Sequence, residues 1–312
     1  MVVETARVAY VFPGQGSQWA GMGRDLYDNF DSSREVFEEA DEALGFPLSR
    51  LCFDGPGDEL RQTINAQPAV VTVSYACLKA VLSSAAGNGG FPPPAFVAGH
   101  SLGEYTALAA AGVLDFAATV SLARERGRLM HEAGRIKPGG MVAIIGLGEE
   151  ALAEVCAEIG TWIANINCPG QIVISGAKED LPRASELAKA RGARRTIPLE
   201  VSGAFHTPLM EPAVKSMAEI IAALSFHKPL VPIVGNTTAR PLSTAELIKE
   251  ELLAQLGSCV QWQRSVAYMT ANGVDTFVEI GPGKVLSGLI RRIDRGVRLI
   301  NIEDAEAIKE SG

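Results

Sequence analysis

One short motif, Gly99-His100-Ser101-Leu102-Gly103, constrains this chain more than any other stretch. The apolar run over 95–98 before it predicts a buried strand, and the Ala-rich run over 104–112 after it predicts a helix. Strand, G-x-S-x-G and helix in this order are typical of a nucleophile elbow, in which a serine on a strained turn presents its hydroxyl. The two glycines leave room for the neighbouring strand and helix. The alternative is an ordinary strand-to-helix turn that uses glycine and serine only as turn formers.

The composition of the chain indicates a globular α/β protein. It has 312 residues, of which 47% are hydrophobic and 21% charged, enough for one large domain or a large and a small one. The 32 glycines and the low aromatic content of 6% suit closely packed layers of helices and strands. The net charge of −8 argues against a nucleic-acid-binding protein, because such proteins carry a basic surface.

The cysteines and the N-terminal sequence favour a cytoplasmic protein. The cysteines are odd in number and none has metal-site or redox-motif spacing, so we expect reduced thiols at Cys52, Cys77, Cys156, Cys168 and Cys259. Residues 1–7 lack the pattern of a secretory signal, and no apolar run is expected to approach membrane-spanning length. We therefore expect a cytoplasmic protein without a membrane segment.

The loop after the first apolar strand, residues 8–12, is a second place for chemistry. Its Gly14-x-Gly16 start resembles a dinucleotide-binding loop, but Trp19 stands where the third glycine is needed. We therefore exclude a dinucleotide fold. The loop still offers backbone N–H groups at a strand end, where α/β sheets place their sites.

A helix predicted from about 116 to 133, capped by Asp115, carries an arginine on its apolar side. Arg126 has Leu122 one turn before it and Leu129 one turn after it, so its side chain is predicted to point into apolar surroundings. A buried charge without a partner is costly, so this arginine needs an anion. Two partners are open: a structural Asp or Glu from elsewhere, or a substrate carboxylate held by the guanidinium.

Residues 135–199 have a pattern of their own. Strands are predicted over 141–147, 162–167, 171–175 and 195–199, and helices over 149–159 and 179–191. This βαββαβ order is that of the ferredoxin-like split unit. We therefore predict an α/β fold in which a ferredoxin-like small domain, residues 135–199, is inserted into a large domain made of residues 1–134 and 200–312.

Ser101 needs a general base, and the sequence contains four histidines. His100 adjoins the nucleophile at an elbow where neighbouring side chains diverge, His131 lies on a polar helix face, and His227 lies in a connecting loop. His206 is predicted to follow a strand end, as Ser101 does, so we expect both at the C-terminal edge of one sheet. The alternative is a structural histidine. No Asp or Glu occupies an obvious third position, so a backbone carbonyl could orient the imidazole.

Several motifs follow one another in order along nearly the whole chain. They are Phe12-Pro13-Gly14-Gln15-Gly16-Ser17-Gln18, Gly99-His100-Ser101-Leu102-Gly103-Glu104-Tyr105, Arg126-Gly127, Ala143-Ile144-Ile145-Gly146-Leu147, residues 165–176, Gly203-Ala204-Phe205-His206, Val260-Gln261-Trp262 and Glu279-Ile280-Gly281-Pro282-Gly283-Lys284-Val285-Leu286. In this order the chain resembles the malonyl-CoA:acyl carrier protein transacylases of bacterial fatty acid synthesis and the acyltransferase domains of polyketide synthases. The resemblance implies a large α/β-hydrolase-like domain with a mostly parallel sheet and the inserted ferredoxin-like domain.

The resemblance also implies roles for matching positions. Ser101 is then the nucleophile that carries the malonyl group, with His206 as its base. Arg126 binds the free malonyl carboxylate, in agreement with its predicted apolar surroundings. The backbone N–H groups of Gln15 and Leu102 form the oxyanion hole.

Three further positions take substrate-binding roles from the same resemblance. The backbone carbonyl of Gln261 is expected to orient the catalytic imidazole. Phe205 is similar to the residue of malonyl-selective members, because a bulky ring there would crowd an α-methyl branch. His100, beside the nucleophile, is expected to line the site. One departure from the family is His131, where glutamine is frequent, and it receives no role.

The implied reaction is a ping-pong transfer of the malonyl group from malonyl-CoA to the phosphopantetheine thiol of acyl carrier protein, through a malonyl-serine intermediate. The coenzyme A thioester is the substrate, and no metal or other cofactor is implied. We expect a monomer that binds neither nucleic acid nor membrane. The alternatives are a free-standing polyketide-synthase acyltransferase, a serine thioesterase or esterase, and a non-catalytic scaffold protein that kept the fold.

The carrier proteins of this pathway are acidic, and this chain is also net negative. Local basic clusters are therefore expected to dock the carrier protein. The candidates are Lys189, Arg191, Arg194, Arg195, Arg291 and Arg292.

Overall fold

The structure, a computed structural model, describes residues 6–85 and 91–311. The segment over 1–7 considered above therefore lies largely outside the described residues. The strands are β1 (Val8–Phe12), β2 (Phe96–Gly99), β3 (Gly139–Ile145), β4 (Trp162–Cys168), β5 (Gln171–Ala177), β6 (Arg195–Pro198), β7 (Ile233–Val234), β8 (Pro241–Leu242), β9 (Thr276–Ile280) and β10 (Arg298–Ile302). A short 3-10 turn covers Pro208–Met210.

The α-helices cover the stretches between these strands. They are α1 (Arg24–Asn29), α2 (Asp31–Leu44), α3 (Leu48–Asp54), α4 (Gly57–Arg61), α5 (Thr63–Ala85), α6 (Gly103–Ala110), α7 (Phe116–Ile136), α8 (Glu149–Ile159), α9 (Leu181–Ala190), α10 (Glu211–Ala223), α11 (Ala245–Gly257), α12 (Trp262–Ala271), α13 (Val285–Ile293) and α14 (Ala305–Ser311). The predicted cap of α7 is confirmed, since the Asp115 carboxylate accepts a hydrogen bond from the Ala118 N–H at 2.7 Å.

The larger sheet has six strands in the order β10-β9-β1-β2-β7-β8. Its strands pair in parallel except for β8, which runs antiparallel to β7. The prediction of an α/β fold with a mostly parallel sheet is therefore confirmed. The C-terminal ends of β1 and β2 lie side by side, with Phe12 paired to Gly99, which brings the loop after β1 next to the serine motif.

Helices cover both faces of this sheet, so every residue of β1 is buried. Val8, Tyr10 and Phe12 pack into a core with side chains of α2, α5 and α7. Ala9 and Val11 point to the other face and pack with side chains of α12 and α13. Burial on both faces is why this strand is continuously apolar rather than alternating.

Residues 139–198 form a second sheet of four antiparallel strands in the order β4-β5-β3-β6. The side chains of α8 and α9 share one apolar core with this sheet. All six elements predicted for this region are present, and α8 has the predicted bounds. The strands β4 and β5 meet at a tight turn whose Gly170 has a φ of 74°, a conformation that glycine adopts without a steric cost.

The helix α5 corrects the expectation that no apolar run approaches membrane-spanning length. It has 23 residues and is long and apolar enough, by length and composition alone, to cross a bilayer. However, 72% of its apolar 18-residue stretch is buried inside the protein. The helix is apolar nearly all round because it lies at the centre of the core, packed against α2 and α7.

Candidate active site

Ser101 lies on a strained turn between β2 and α6. Its φ of 51° is in the left-handed region, which a serine adopts only where the surrounding structure imposes it. A Cβ atom added to Gly99 would overlap the backbone of Gly103, and one added to Gly103 would overlap the carbonyl of Phe12. The structure therefore gives both glycines the spatial role that the sequence analysis predicted for a nucleophile elbow.

The structure brings the predicted base to the predicted nucleophile. The Oγ atom of Ser101 lies 2.8 Å from Nε2 of His206. The Nδ1 atom of the same ring lies 2.7 Å from the backbone carbonyl oxygen of Gln255. Because a carbonyl only accepts hydrogen bonds, the proton is on Nδ1, and Nε2 is free to accept the serine proton.

The carbonyl that orients His206 corrects the expectation for Gln261. That residue precedes α12, its N–H donates to the Asn236 carbonyl at 2.7 Å, and its side-chain oxygen accepts from Arg264. The carbonyl of Gln255 takes the expected role because it lies in the last turn of α11, where helical carbonyls lack partners within the helix.

The route by which His206 reaches the serine also differs from the prediction. The preceding strand β6 belongs to the antiparallel sheet, so the two residues do not share one sheet edge. His206 lies instead in a loop between β6 and the 3-10 turn, with a φ of 61°. The structure thus pairs His206 with Ser101 as predicted, but through a loop and not through a shared sheet edge.

Burial and a neighbouring charge keep the imidazole neutral. His206 is only 4% exposed. Its burial, together with the positive charge of Arg126, lowers its pKa to about 3. At neutral pH the ring is therefore unprotonated, which is the state that a general base requires.

Arg126 is 1% exposed and points at the nucleophile. Its guanidinium donates to Oε1 of Gln67 at 3.0 Å, to Oε1 of Gln255 at 2.7 Å and to Oγ of Ser101 at 3.1 Å. Within residues 6–85 and 91–311, no Asp or Glu forms an ion pair with it, and its Nε has no hydrogen-bond partner. No carboxylate of the described residues therefore contacts the guanidinium directly; that of Glu104 lies on the far side of the Gln255 amide, and the guanidinium is available to an anion brought by a substrate.

These groups lie in a cavity of about 440 Å³, a size typical of small-molecule sites. The predicted site residues that line it are Gln15, His100, Ser101, Arg126, Phe205 and His206. Side chains of β4 and β5, among them Asn165 and Val173, form part of its wall, so both sheets contribute to the site. Neither Gln261 nor Leu102 is among the residues that line the cavity, and Leu102 is fully buried.

The two backbone N–H groups predicted for the oxyanion hole are free. In the described part of the chain, neither the N–H of Gln15 nor that of Leu102 has a hydrogen-bond partner. Leu102 begins the first turn of α6, where helical N–H groups are unsatisfied and favour negative charge. The side chain of Gln15 donates to Thr63 at 3.1 Å and thereby fixes the loop after β1.

The remaining predicted residues have distinct surroundings. Nε2 of His100 lies 2.8 Å from Oδ1 of Asn167 in the wall of the cavity, and burial lowers the pKa of this ring. Phe205 is buried and lines the cavity directly beside the catalytic ring. Of the expected basic docking cluster, Arg191 is paired with Glu154 and Glu158.

Four polar side chains that the sequence analysis did not single out hold the site together. They are Gln67, Glu104, Asn236 and Gln255, all buried. Two of them carry a signal in the sequence: Glu104 is a charge in a helix with no other charged residue, and Asn236 lies two residues after a buried strand. The two glutamines lie in ordinary helices and give no such signal.

Comparison with known proteins agrees with this geometry. Residues 9–308 match the acyl transferase domain family. The chain is 45% identical over 309 residues to the malonyl CoA-acyl carrier protein transacylase of Bacillus subtilis (strain 168), covering 97% of this chain and 96% of the relative. The crystal structure of the acyl-carrier-protein-S-malonyltransferase of Bartonella henselae superposes with a TM-score of 0.93 at 41% identity and 98% coverage of both chains.

A second similar structure contains a partner. It is a malonyl-transacylase in complex with its type II PKS acyl-carrier protein, with a TM-score of 0.92, 39% identity, and coverage of 98% of this chain and 99% of that one. The family match spans nearly all of the chain, including the serine, the histidine and the buried arginine. The chain belongs to the acyl transferase domain family.

Proposed function

We propose that this chain transfers the malonyl group from malonyl-CoA to the phosphopantetheine thiol of acyl carrier protein in fatty acid synthesis. The observation that carries this proposal is Arg126, a buried guanidinium that contacts Oγ of Ser101 and has no carboxylate partner among the described residues. One methylene separates the thioester carbonyl of malonyl from its carboxylate. A carboxylate bound to this guanidinium therefore leaves the carbonyl next to the serine oxygen. The names of the similar enzymes support the same substrate.

The first half-reaction is acylation of the serine. Nε2 of His206 takes the proton as Ser101 Oγ attacks the thioester carbonyl, and the carbonyl of Gln255 holds the resulting imidazolium. The free N–H groups of Gln15 and Leu102 stabilise the oxyanion, a contribution of about 3 kcal/mol per donor in comparable sites. Coenzyme A leaves as its thiol after the imidazolium returns the proton.

The second half-reaction reverses the first with a different thiol. The phosphopantetheine thiol of the carrier protein gives its proton to His206 and attacks the malonyl-serine ester, the bond from the carbonyl carbon to Oγ breaks, and His206 returns the proton to the serine oxygen. The chemistry needs no metal or redox cofactor, because the hydroxyl, the imidazole and the N–H groups supply nucleophile, base and oxyanion site. We propose further that the enzyme is monomeric and that it is cytoplasmic. The five free cysteines support the cytoplasmic location, because thiols stay reduced there.

The proposal also covers how the chain divides into two domains. We infer that residues 135–199 form a ferredoxin-like domain inserted into an α/β-hydrolase-like domain of residues 1–134 and 200–312. The strand order β4-β5-β3-β6, with α8 and α9 sharing one core with the sheet, supports this division. Side chains of the insertion form part of the wall of the cavity that contains the nucleophile.

Transfer assays with different acyl donors test this function against its rivals. Malonyl-CoA, methylmalonyl-CoA and acetyl-CoA are compared with holo acyl carrier protein as acceptor, and acyl-carrier products are measured by mass. We expect malonyl transfer to be fastest, since acetyl has no carboxylate for Arg126 and the methyl branch meets Phe205. Hydrolysis of malonyl-CoA as fast as transfer would instead identify a thioesterase, and acetyl transfer equal to malonyl transfer would exclude the proposed role of the arginine.

A further inference from the structure

Both peptide groups of the strained serine are held by side chains from distant parts of the chain. The Ser101 N–H donates to Oδ1 of Asn236 at 2.6 Å. The Ser101 carbonyl accepts a hydrogen bond from Nε2 of Gln255 at 2.9 Å. A serine at a φ of 51° stays there only if its surroundings hold it, and these two amides are direct restraints on its backbone.

One carboxylate joins the two amides. Oε1 of Glu104 accepts hydrogen bonds from the backbone N–H of Asn236 at 3.0 Å and from its Nδ2 at 3.1 Å. Oε2 of Glu104 accepts a hydrogen bond from Nε2 of Gln255. Glu104 is 0% exposed and is one turn from the nucleophile on α6. Every group that it contacts here is a donor, which suits a carboxylate that accepts on both oxygens.

We propose that Glu104 is a positioning residue, which fixes Ser101 in its reactive conformation by setting the orientation of the side-chain amides of Asn236 and Gln255. The proposal rests on the proposed acyl transfer at Ser101. Glu104 touches no reacting atom, so its effect on the reaction is indirect.

The hydrogen bonds show how Glu104 restrains the orientation of the two amides. An amide group can turn over and exchange its oxygen and nitrogen. Because Glu104 and the Gly99 carbonyl both accept from Nδ2 of Asn236, the Oδ1 atom of that amide must face the Ser101 N–H. Because Glu104 accepts from Nε2 of Gln255, the Oε1 atom of that amide must face the guanidinium of Arg126. A turned Gln255 would instead place an NH₂ group against the cation.

The support for this role is geometric, because N–H donors face both oxygens of Glu104. Burial and the nearby Glu251 raise the pKa of Glu104 well above its usual range, although the hydrogen bonds from Asn236 and Gln255 and the charge of Arg126 lower it. The buried guanidinium and the buried carboxylate thus contact the same amide from opposite ends. Nucleophile, base and cation are thereby linked through a single residue, Gln255.

The test compares Glu104→Gln with a matched control, Glu279→Gln. Glu279 is also buried and accepts from the backbone N–H groups of Leu286 and Ser287, but it has no hydrogen bond to Ser101, Asn236 or Gln255. The rate of malonyl-serine formation at saturating malonyl-CoA is measured by intact mass, together with KM and Tm. We expect Glu104→Gln to lower that rate about 100-fold, the effect of a misplaced reacting group, with KM changed less than about threefold. Glu279→Gln should keep the rate although its Tm falls. Equal rates of malonyl-serine formation in Glu104→Gln and Glu279→Gln would overturn the proposal.

A second readout tests the positioning role of Glu104 independently of whether malonyl is the substrate. A neutral sulfonyl fluoride reacts with an activated serine through a new bond from Oγ to sulfur, with loss of fluoride and transfer of the proton to His206, and it carries no carboxylate for Arg126. If Glu104→Gln is sulfonylated slowly and the wild type rapidly, the positioning role of Glu104 is supported, even if neither protein forms a malonyl adduct. Sulfonylation at the wild-type rate overturns it. If Glu104→Gln does not fold, Asn236→Ala removes the acceptor of the Ser101 N–H together with the Nδ2 contacts to Glu104 and the Gly99 carbonyl, and it must also slow sulfonylation.

Discussion

Replacement of Arg126 by alanine is expected to lower kcat/KM for malonyl-CoA by about 100-fold to 4,000-fold. The wild-type guanidinium is buried and already hydrogen-bonded to Ser101, so a bound malonyl carboxylate would form its ion pair away from water. Loss of one partner of a buried charge pair costs about 3–5 kcal/mol, and each 1.4 kcal/mol is about a factor of ten. Acetyl-CoA carries no carboxylate, so we expect the wild type to transfer acetyl much more slowly than malonyl. The acetyl rate should therefore fall much less than the malonyl rate in Arg126→Ala. The measurement is the initial transfer rate with both donors.

The matched control for this prediction is Arg128→Ala on the same helix. Arg128 is partly exposed and pairs with Glu125 and Glu132 on the helix surface, where ion pairs contribute about 0–1 kcal/mol. We expect its malonyl transfer to equal that of the wild type. Malonyl transfer that survives in Arg126→Ala would contradict the role of Arg126 as the carboxylate clamp.

Replacement of Gly103 by alanine is expected to destroy the elbow. The added methyl group would overlap the backbone carbonyl of Phe12, which belongs to the central strand and cannot move without the sheet. Overpacking against a rigid neighbour costs about 3 kcal/mol or more. We expect a fall in Tm of at least about 5 °C and loss of serine acylation, measured by thermal unfolding and by mass.

The control for this substitution is Gly288→Ala in α13, where an added Cβ would meet nothing within 4 Å. Alanine is the better helix former by about 0.5–1 kcal/mol, so this variant should be as stable as the wild type or more stable. A Gly103→Ala protein with wild-type Tm and wild-type acylation would show that the close approach at the elbow is not required.

The elements that could be predicted from the sequence are those with a strong local signal. The strand, G-x-S-x-G and helix of the elbow are recognisable because each part has a distinct pattern and the glycines have a steric reason. The order of elements in 139–198 follows from hydrophobic periodicity, and the burial of Arg126 follows from its neighbours one turn away.

The rest depends on contacts between residues far apart in sequence. His206 is 105 positions from Ser101 and approaches it through a loop, so the predicted shared sheet edge was wrong although the pair was right. The resemblance led to Gln261 for the orienting carbonyl, but the partner is Gln255, because a backbone carbonyl gives no sign in the sequence of which group it will meet. The link from Glu104 to Asn236 spans 132 positions and was likewise invisible before the fold was known.

The long helix α5 shows a different limit. Composition alone does not distinguish a helix that is apolar because it lies at the centre of a core from one that is apolar because it faces lipid. Only the packing of α5 against α2 and α7 decides the matter, and that packing is a property of the whole fold.

The most direct test of the central claim is the intact mass of the protein after mixing with malonyl-CoA in the absence of carrier protein. We predict one malonyl group per chain, located on Ser101 by peptide mapping, absent from Ser101→Ala and released to the thiol when holo acyl carrier protein is added. The result that would contradict the proposed mechanism is transfer to the carrier protein without any adduct, or an adduct that persists in Ser101→Ala.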